Sequence, residues 1–126
     1  MTSSAKVSHY KELIVCQKGM ALAKSVYKLT ASFPSEERFG LASQMRRAAV
    51  SVPSNIAEGQ ARHGRREFLQ FLSHASGSLA ELETQLLLGE SLGYCDRAAM
   101  SEIAKTIEEL QRMLAAIRRS LSLPSH

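Results

Sequence analysis

Between Met100 and Leu121, apolar side chains recur every third or fourth position: Met100, Ile103, Ile107, Leu110, Leu114, Ile117 and Leu121. Only a helix gathers that spacing onto one face, because a strand would send alternate residues to opposite sides. Glu, Lys and Arg occupy the remaining faces. The segment therefore has one stripe to bury and the rest to leave in water. An isolated helix of this kind is marginal, so the chain must bring other apolar faces to it.

A second stripe of the same kind runs through Phe68, Phe71 or Leu72, Ala75, Leu79, Leu82 and Leu86. Gly93-Tyr94 ends it and Asp96 is placed to cap the next helix, so the two are joined by a short link and predicted to pack as antiparallel neighbours. A third segment, about Tyr10 to Leu29, carries two apolar faces. Leu13, Cys16, Met20, Ala23 and Tyr27 form one; Val15, Leu22, Val26 and Leu29 form the other. Two faces imply burial on two sides, either inside the bundle or at a subunit interface, and the second is compatible with receiving a partner or another copy of the chain.

Ser32-Phe33-Pro34-Ser35 interrupts the pattern. Ser32 or Ser35 is placed to cap a further helix, with Glu36 and Glu37 in its first turn, where negative charge suits the helix dipole. That helix meets Pro53, which removes a backbone donor and predicts a kink. Ser51 and Asn55 are read as satisfying the backbone groups so freed, and Gly59 and Gly64 bracket the following turn. The expectation is an all-α chain, an antiparallel up-down four-helix bundle with a Pro-kinked second helix. It forms one domain over 1–126, with helices near 8–30, 35–61, 65–92 and 96–121, and frayed ends at about 1–7 and 122–126.

A chain of 126 residues with 44% hydrophobic and 22% charged residues is long and apolar enough for one core, which excludes a wholly disordered chain. Aromatics are 6% and Trp is absent, so Leu, Ala, Ile and Val must fill that core. Cys16 and Cys95 match no metal or redox spacing, which points to a reducing cytoplasm. The amino terminus lacks the apolar stretch of a signal peptide, and no apolar run approaches the roughly 20 residues a membrane-spanning helix needs. A cytoplasmic protein with no membrane contact is expected.

No catalytic motif is evident, and an enzyme is not expected. No Glu is followed three residues later by His, the pattern used by di-metal bundles. Gly59 and Gly64 lack the Lys-Ser/Thr ending and preceding strand of a phosphate loop, and Ser73-His74 has no third partner. Neither metal nor cofactor is expected. The informative feature is charge. Formal net charge is +4, and between Met45 and Glu67 the chain holds Arg46, Arg47, Arg62, Arg65 and Arg66 against only Glu58 and Glu67. Arg62, Arg65 and Arg66 share the i, i+3, i+4 spacing that groups side chains on one side of a helix. They fall at the start of the third helix, where free N–H groups also favour anions. These five arginines are the candidate nucleic-acid-binding residues, because the planar guanidinium matches a phosphate. Part of the cluster is expected to be used internally through a Glu58–Arg62 pair. Within this window no aromatic residues interleave with the arginines, so base stacking is not indicated and binding would be backbone-directed and salt-sensitive. Arg112, Arg118 and Arg119 read more simply as charges toward the end of the last helix.

The run Phe33-Pro34, Glu37, Phe39-Gly40-Leu41, Ser43 to Ala49 and Ser51 to Gly59 resembles the four-helix bundle family of 23S ribosomal RNA intervening-sequence proteins. Glu67-Phe68, Phe71-Leu72, Ala75, Gly77-Ser78-Leu79, Glu81 to Leu86 and Leu92-Gly93-Tyr94 continue the resemblance, which spans roughly residues 10–121. The chain departs from the family pattern at Cys16, where Trp is common, and at Gly64, where Ser often begins a capping box completed by an acidic residue, here Glu67. The resemblance implies a homo-oligomer, a pentameric ring, and association with RNA, since a similar bundle serves diversity-generating retroelements as a basic pentamer that binds nucleic acid and a reverse transcriptase. The expected function is a basic, self-assembling bundle that binds RNA or an RNA–protein complex. The alternative is a protein-interaction scaffold or accessory subunit with no nucleic-acid binding of its own.

Overall fold

The computed structural model describes residues 3–122, with side chains described from Tyr10 onward. Four helices account for most of it: α1 (Ser3–Thr30), α2 (Leu41–Ala61), α3 (Arg65–Ser91) and α4 (Arg97–Ser122). Among the described residues there is no strand. Helix α1 is already formed at Ser3 and α4 continues to Ser122, where fraying was expected; residues 1, 2 and 123–126 of the expected frayed ends lie outside the described residues.

The helices pack as a closed cycle in which α2 and α4 each touch both α1 and α3. Contacts between named residues fix the senses. Gly19 of α1 lies against Pro53 of α2, while Thr30, farther along α1, meets Arg46, nearer the start of α2. On the next face Ser51 pairs with Ser78, and Gly59 lies against Phe68. Each of these pairs therefore runs in opposite directions.

The core follows the stripes of α3 and α4. Leu72, Leu79, Leu82 and Leu86 meet Ile107, Leu110 and Leu114, all nearly devoid of solvent contact. Burial of side chains this size contributes on the order of 2 kcal/mol each. Helix α1 decides between the two alternatives. Val15, Leu22, Val26 and Leu29 are core residues, so this stripe is buried inside the bundle and is not available to a partner. The other stripe is open in part: Leu13, Met20 and Tyr27 remain 47%, 53% and 46% exposed, while Ala23 is buried and Cys16 half-buried.

The second helix begins later than expected. Pro34 (φ −56°, ψ 146°) is extended, Ser35–Glu37 form a single 3-10 turn, and Gly40 (φ −107°, ψ −116°) breaks the chain direction before α2 starts at Leu41. Neither serine caps it. Ser32 Oγ instead donates to Leu29 O (2.9 Å) at the end of α1. The cap is Glu37, whose Oε1 accepts the Leu41 N–H at 2.9 Å. Its Oε2 accepts the Tyr94 hydroxyl at 3.0 Å, and Tyr94 packs on Phe33 with ring centroids 5.3 Å apart. One carboxylate thus ties the start of α2 to the α3–α4 turn.

Helix α2 continues through Pro53. Asn55 Nδ2 donates to Ser51 O at 2.7 Å, which is not the carbonyl that Pro53 frees: that is Ala49 O, four residues before the proline. Ser51 does not take the expected role either, because its hydroxyl pairs with Ser78 on α3. At the far turn, Gly93 (φ +79°) lets the Tyr94 N–H reach back to Gly89 O at 2.9 Å and closes α3. Asp96 Oδ1 then accepts the Ala99 N–H at 3.0 Å and caps α4, as its position predicts.

Candidate nucleic-acid interface

The five candidate arginines do not form one patch. From Arg46 to Arg62 an α-helix advances about 24 Å, so α2 holds two groups near opposite ends. Arg62, Arg65 and Arg66 cluster at the α2–α3 turn and are all exposed. Arg62 Nη2 sits 2.6 Å from Glu58 Oε2, the expected pair, and its guanidinium lies 5.2 Å from the Phe71 ring centroid. With both partners about half exposed, that pair contributes at most a few tenths of a kcal/mol. Gly64 (φ +114°) precedes α3 and supplies no side-chain cap, so Arg65 and Arg66 stand in the first turn of a helix, where the dipole favours anions.

Arg46 and Arg47 lie in the second turn of α2, facing different neighbours. Arg46 is half-buried against the end of α1. Its Nε donates to Thr30 Oγ1 (2.7 Å), Nη2 donates to Tyr27 O (3.3 Å), and the guanidinium stacks 4.6 Å from the Tyr27 ring centroid. The last carbonyls of α1 favour a cation there, so much of Arg46's work is structural. Arg47 is exposed and has no ion-pair partner among the described residues. At the other candidate region, Arg112 lies 3.9 Å from Glu108 on its own helix.

A groove between α1 and α2 changes the reading of Arg46 and Arg47. Its first half, about 630 Å³, is walled by Cys16, Met20, Ala23, Tyr27, Val50, Pro53 and Ala57, with Lys24 and Lys28 at the edge. Burial holds the Cys16 thiol above its ordinary pKa of 9.0, so it is a protonated, apolar wall group. Tyr27, Val50 and Ser54 continue into a second half of about 670 Å³, lined also by Arg38, Phe39, Ser43, Arg46, Arg47 and Ser51. The aromatic residues missing from the sequence around Arg46 and Arg47 are supplied from outside that window, by α1 and by the turn before α2. Phe39 is 88% exposed. A Phe at a chain break reads like a core residue in sequence, and only its exposure distinguishes it.

Among the described residues no group of three or more His, Cys, Asp or Glu side chains could hold a metal ion. None of their helices is long and apolar enough to cross a membrane.

Fold and surface together define an all-α helical bundle with a cationic turn and a long open groove. The sequence matches the family described as 23S rRNA-intervening sequence protein over residues 11–116, and the chain belongs to that family. A solved structure of similar fold is a protein of unknown function of the S23 ribosomal protein family from Bacteroides thetaiotaomicron VPI-5482. It shares 24% identity and a TM-score of 0.80, over 86% of this chain and 98% of that one. No curated protein matches this sequence.

Proposed function

We propose that this protein is a self-assembling bundle that binds RNA, holding phosphates with Arg62, Arg65 and Arg66 at the α2–α3 turn. The observation that carries the reading is this exposed arginine triplet at the N-terminus of a 27-residue helix, in a chain of the 23S rRNA-intervening sequence family. Arg47 adds a second cationic position, on α2. Such contacts track the backbone and weaken steeply with salt.

Self-assembly is supported by two separate apolar surfaces. One is the groove half around Met20 and Val50; the other is Leu87, Leu88 and Leu92 toward the end of α3, each about half exposed. Different patches on one molecule suit a head-to-tail contact, which closes into a ring when the rotation allows. A pentameric ring would present five arginine turns, and weak single contacts would sum to avidity.

The test is fluorescence anisotropy against labelled structured RNA and duplex DNA over a salt series. Binding to structured RNA at physiological salt is expected. The Arg65→Ala/Arg66→Ala double variant should bind more weakly, with a salt slope shallower by roughly 1–2. Wild-type affinity in that variant would remove the α2–α3 turn from the interface. The apolar half of the groove also favours a second reading, a protein-interaction scaffold, and no RNA binding above low salt would select it.

A further inference from the structure

We infer that the cationic half of the α1–α2 groove is a stacking site for an unpaired stretch of RNA, separate from the α2–α3 turn. The inference rests on the RNA reading above and adds which RNA chemistry the protein selects. Phe39 is the carrying observation. It stands 88% exposed in the turn before α2, where a ring of its size exposes more apolar surface than any core requires. Its neighbours are cationic. The Arg38 guanidinium lies 5.4 Å from the Phe39 centroid, and Arg46 and Arg47 line the same cleft. The hydroxyls of Ser43, Ser51 and Ser54 complete the lining, and none of the residues lining this half is a carboxylate. Exposed Glu36, in the turn before Arg38, is not among the lining residues. Both Glu37 oxygens accept internal hydrogen bonds, and Glu81 faces the neighbouring α2–α3 groove across from Arg47.

Charge decides the occupant. A protein surface would have to desolvate the exposed Arg38 and Arg47 in this half, whereas the adjoining half offers it an apolar wall. A nucleotide meets both features at once. Its base has an apolar face for Phe39, and its phosphates meet Arg38 and Arg47. Arg46 is immobilised by Thr30 and Tyr27, so it supplies a fixed charge without losing rotamer freedom on binding. Only unpaired bases can reach the ring, because paired bases are stacked on their own neighbours.

The chain contains no Trp, so Phe39→Trp installs a single reporter where the base should stack. Wild type, Phe39→Trp, Phe39→Ala and Arg65→Ala/Arg66→Ala would be titrated with an unstructured RNA oligonucleotide and with a duplex RNA of equal charge. The expected result is quenching of the Phe39→Trp protein's indole fluorescence by the unstructured strand and not by the duplex. Phe39→Ala should bind the unstructured strand about tenfold more weakly and the duplex unchanged. Equal affinity of Phe39→Ala and wild type for both RNAs, or no quenching, overturns the inference. If the double arginine variant still weakens both RNAs in that case, RNA binding stands and only the stacking site falls. No RNA binding by any form sinks both. A Phe39→Ala protein that changes sedimentation but not strand preference would make Phe39 a subunit contact and overturn the inference as well.

Discussion

Gly59 of α2 lies against Phe68 and Phe71 of α3. A Cβ built there would lie 2.8 Å from Phe68 Cδ1 and 2.9 Å from Phe71 Cβ, and the second of these is fixed to the backbone. Gly59→Ala should therefore push the helices apart and cost about 1–3 kcal/mol, read as a lower denaturant midpoint. Gly77 is the contrast. Nothing lies within 4 Å of its added Cβ in mid-α3, so Gly77→Ala should raise stability by about 0.5–1 kcal/mol. Ionisation gives a prediction at the same scale. The hydrogen bond to Glu37 raises the Tyr94 pKa above 10.0, and burial raises the Cys95 thiol above 9.0, helped by Glu90 and Asp96. In each case the folded state keeps its proton to higher pH than the unfolded chain. This stabilisation is complete below the ordinary values and is lost as pH rises through the folded ones. Urea midpoints should fall above pH 9.0–10.0, and Tyr94→Phe should remove the upper part of that fall.

At the scale of elements, the start of α2 depends on one side chain. Glu37→Ala leaves the Leu41 N–H and the Tyr94 hydroxyl without their acceptor and frees the link between α2 and the α3–α4 turn. A loss of about 1–2 kcal/mol in thermal unfolding is expected, with Glu37→Gln losing less because its amide oxygen can still accept. The same element shows where the sequence could not be read. Glu36 and Glu37 look like a first helical turn, and nothing in their spacing says that Glu37 caps from outside the helix. Helices α3 and α4 were legible because each has one apolar stripe and hence one way to be buried. Helix α1 has two stripes that periodicity weighs equally; Val15 at 0% exposure and Met20 at 53% are told apart only by where the other three helices lie. The helical spacing read for Arg62, Arg65 and Arg66 does not apply, because Arg62 is the extended residue that ends α2 and Gly64 (φ +114°) turns the chain before Arg65 and Arg66 open α3; the turn, not one helix face, brings them to the same end of the bundle. Their grouping with Arg46 and Arg47 does not hold either, because closeness in sequence becomes distance along a helix axis.

Over the whole molecule the α1–α2 groove joins two chemistries, an apolar half and a cationic half that share Tyr27, Val50 and Ser54. If the apolar half is the subunit contact, assembly places the cationic halves at a fixed spacing and couples oligomeric state to RNA affinity. Met20 is the residue to change, since it lines only the apolar half and is exposed enough to accept a charge without disturbing the core. Met20→Glu would have to desolvate a carboxylate to keep the contact, which costs several kcal/mol unless a cation meets it. Sedimentation velocity should show a smaller species with unchanged helicity by circular dichroism. RNA long enough to span several protomers should then bind roughly a hundredfold more weakly, while a short oligonucleotide filling one site should bind as before. Equal loss for both RNAs would mean that Met20 contacts RNA directly. An unchanged sedimentation coefficient would move the subunit contact away from this groove, leaving Leu87, Leu88 and Leu92 as the surface to alter next.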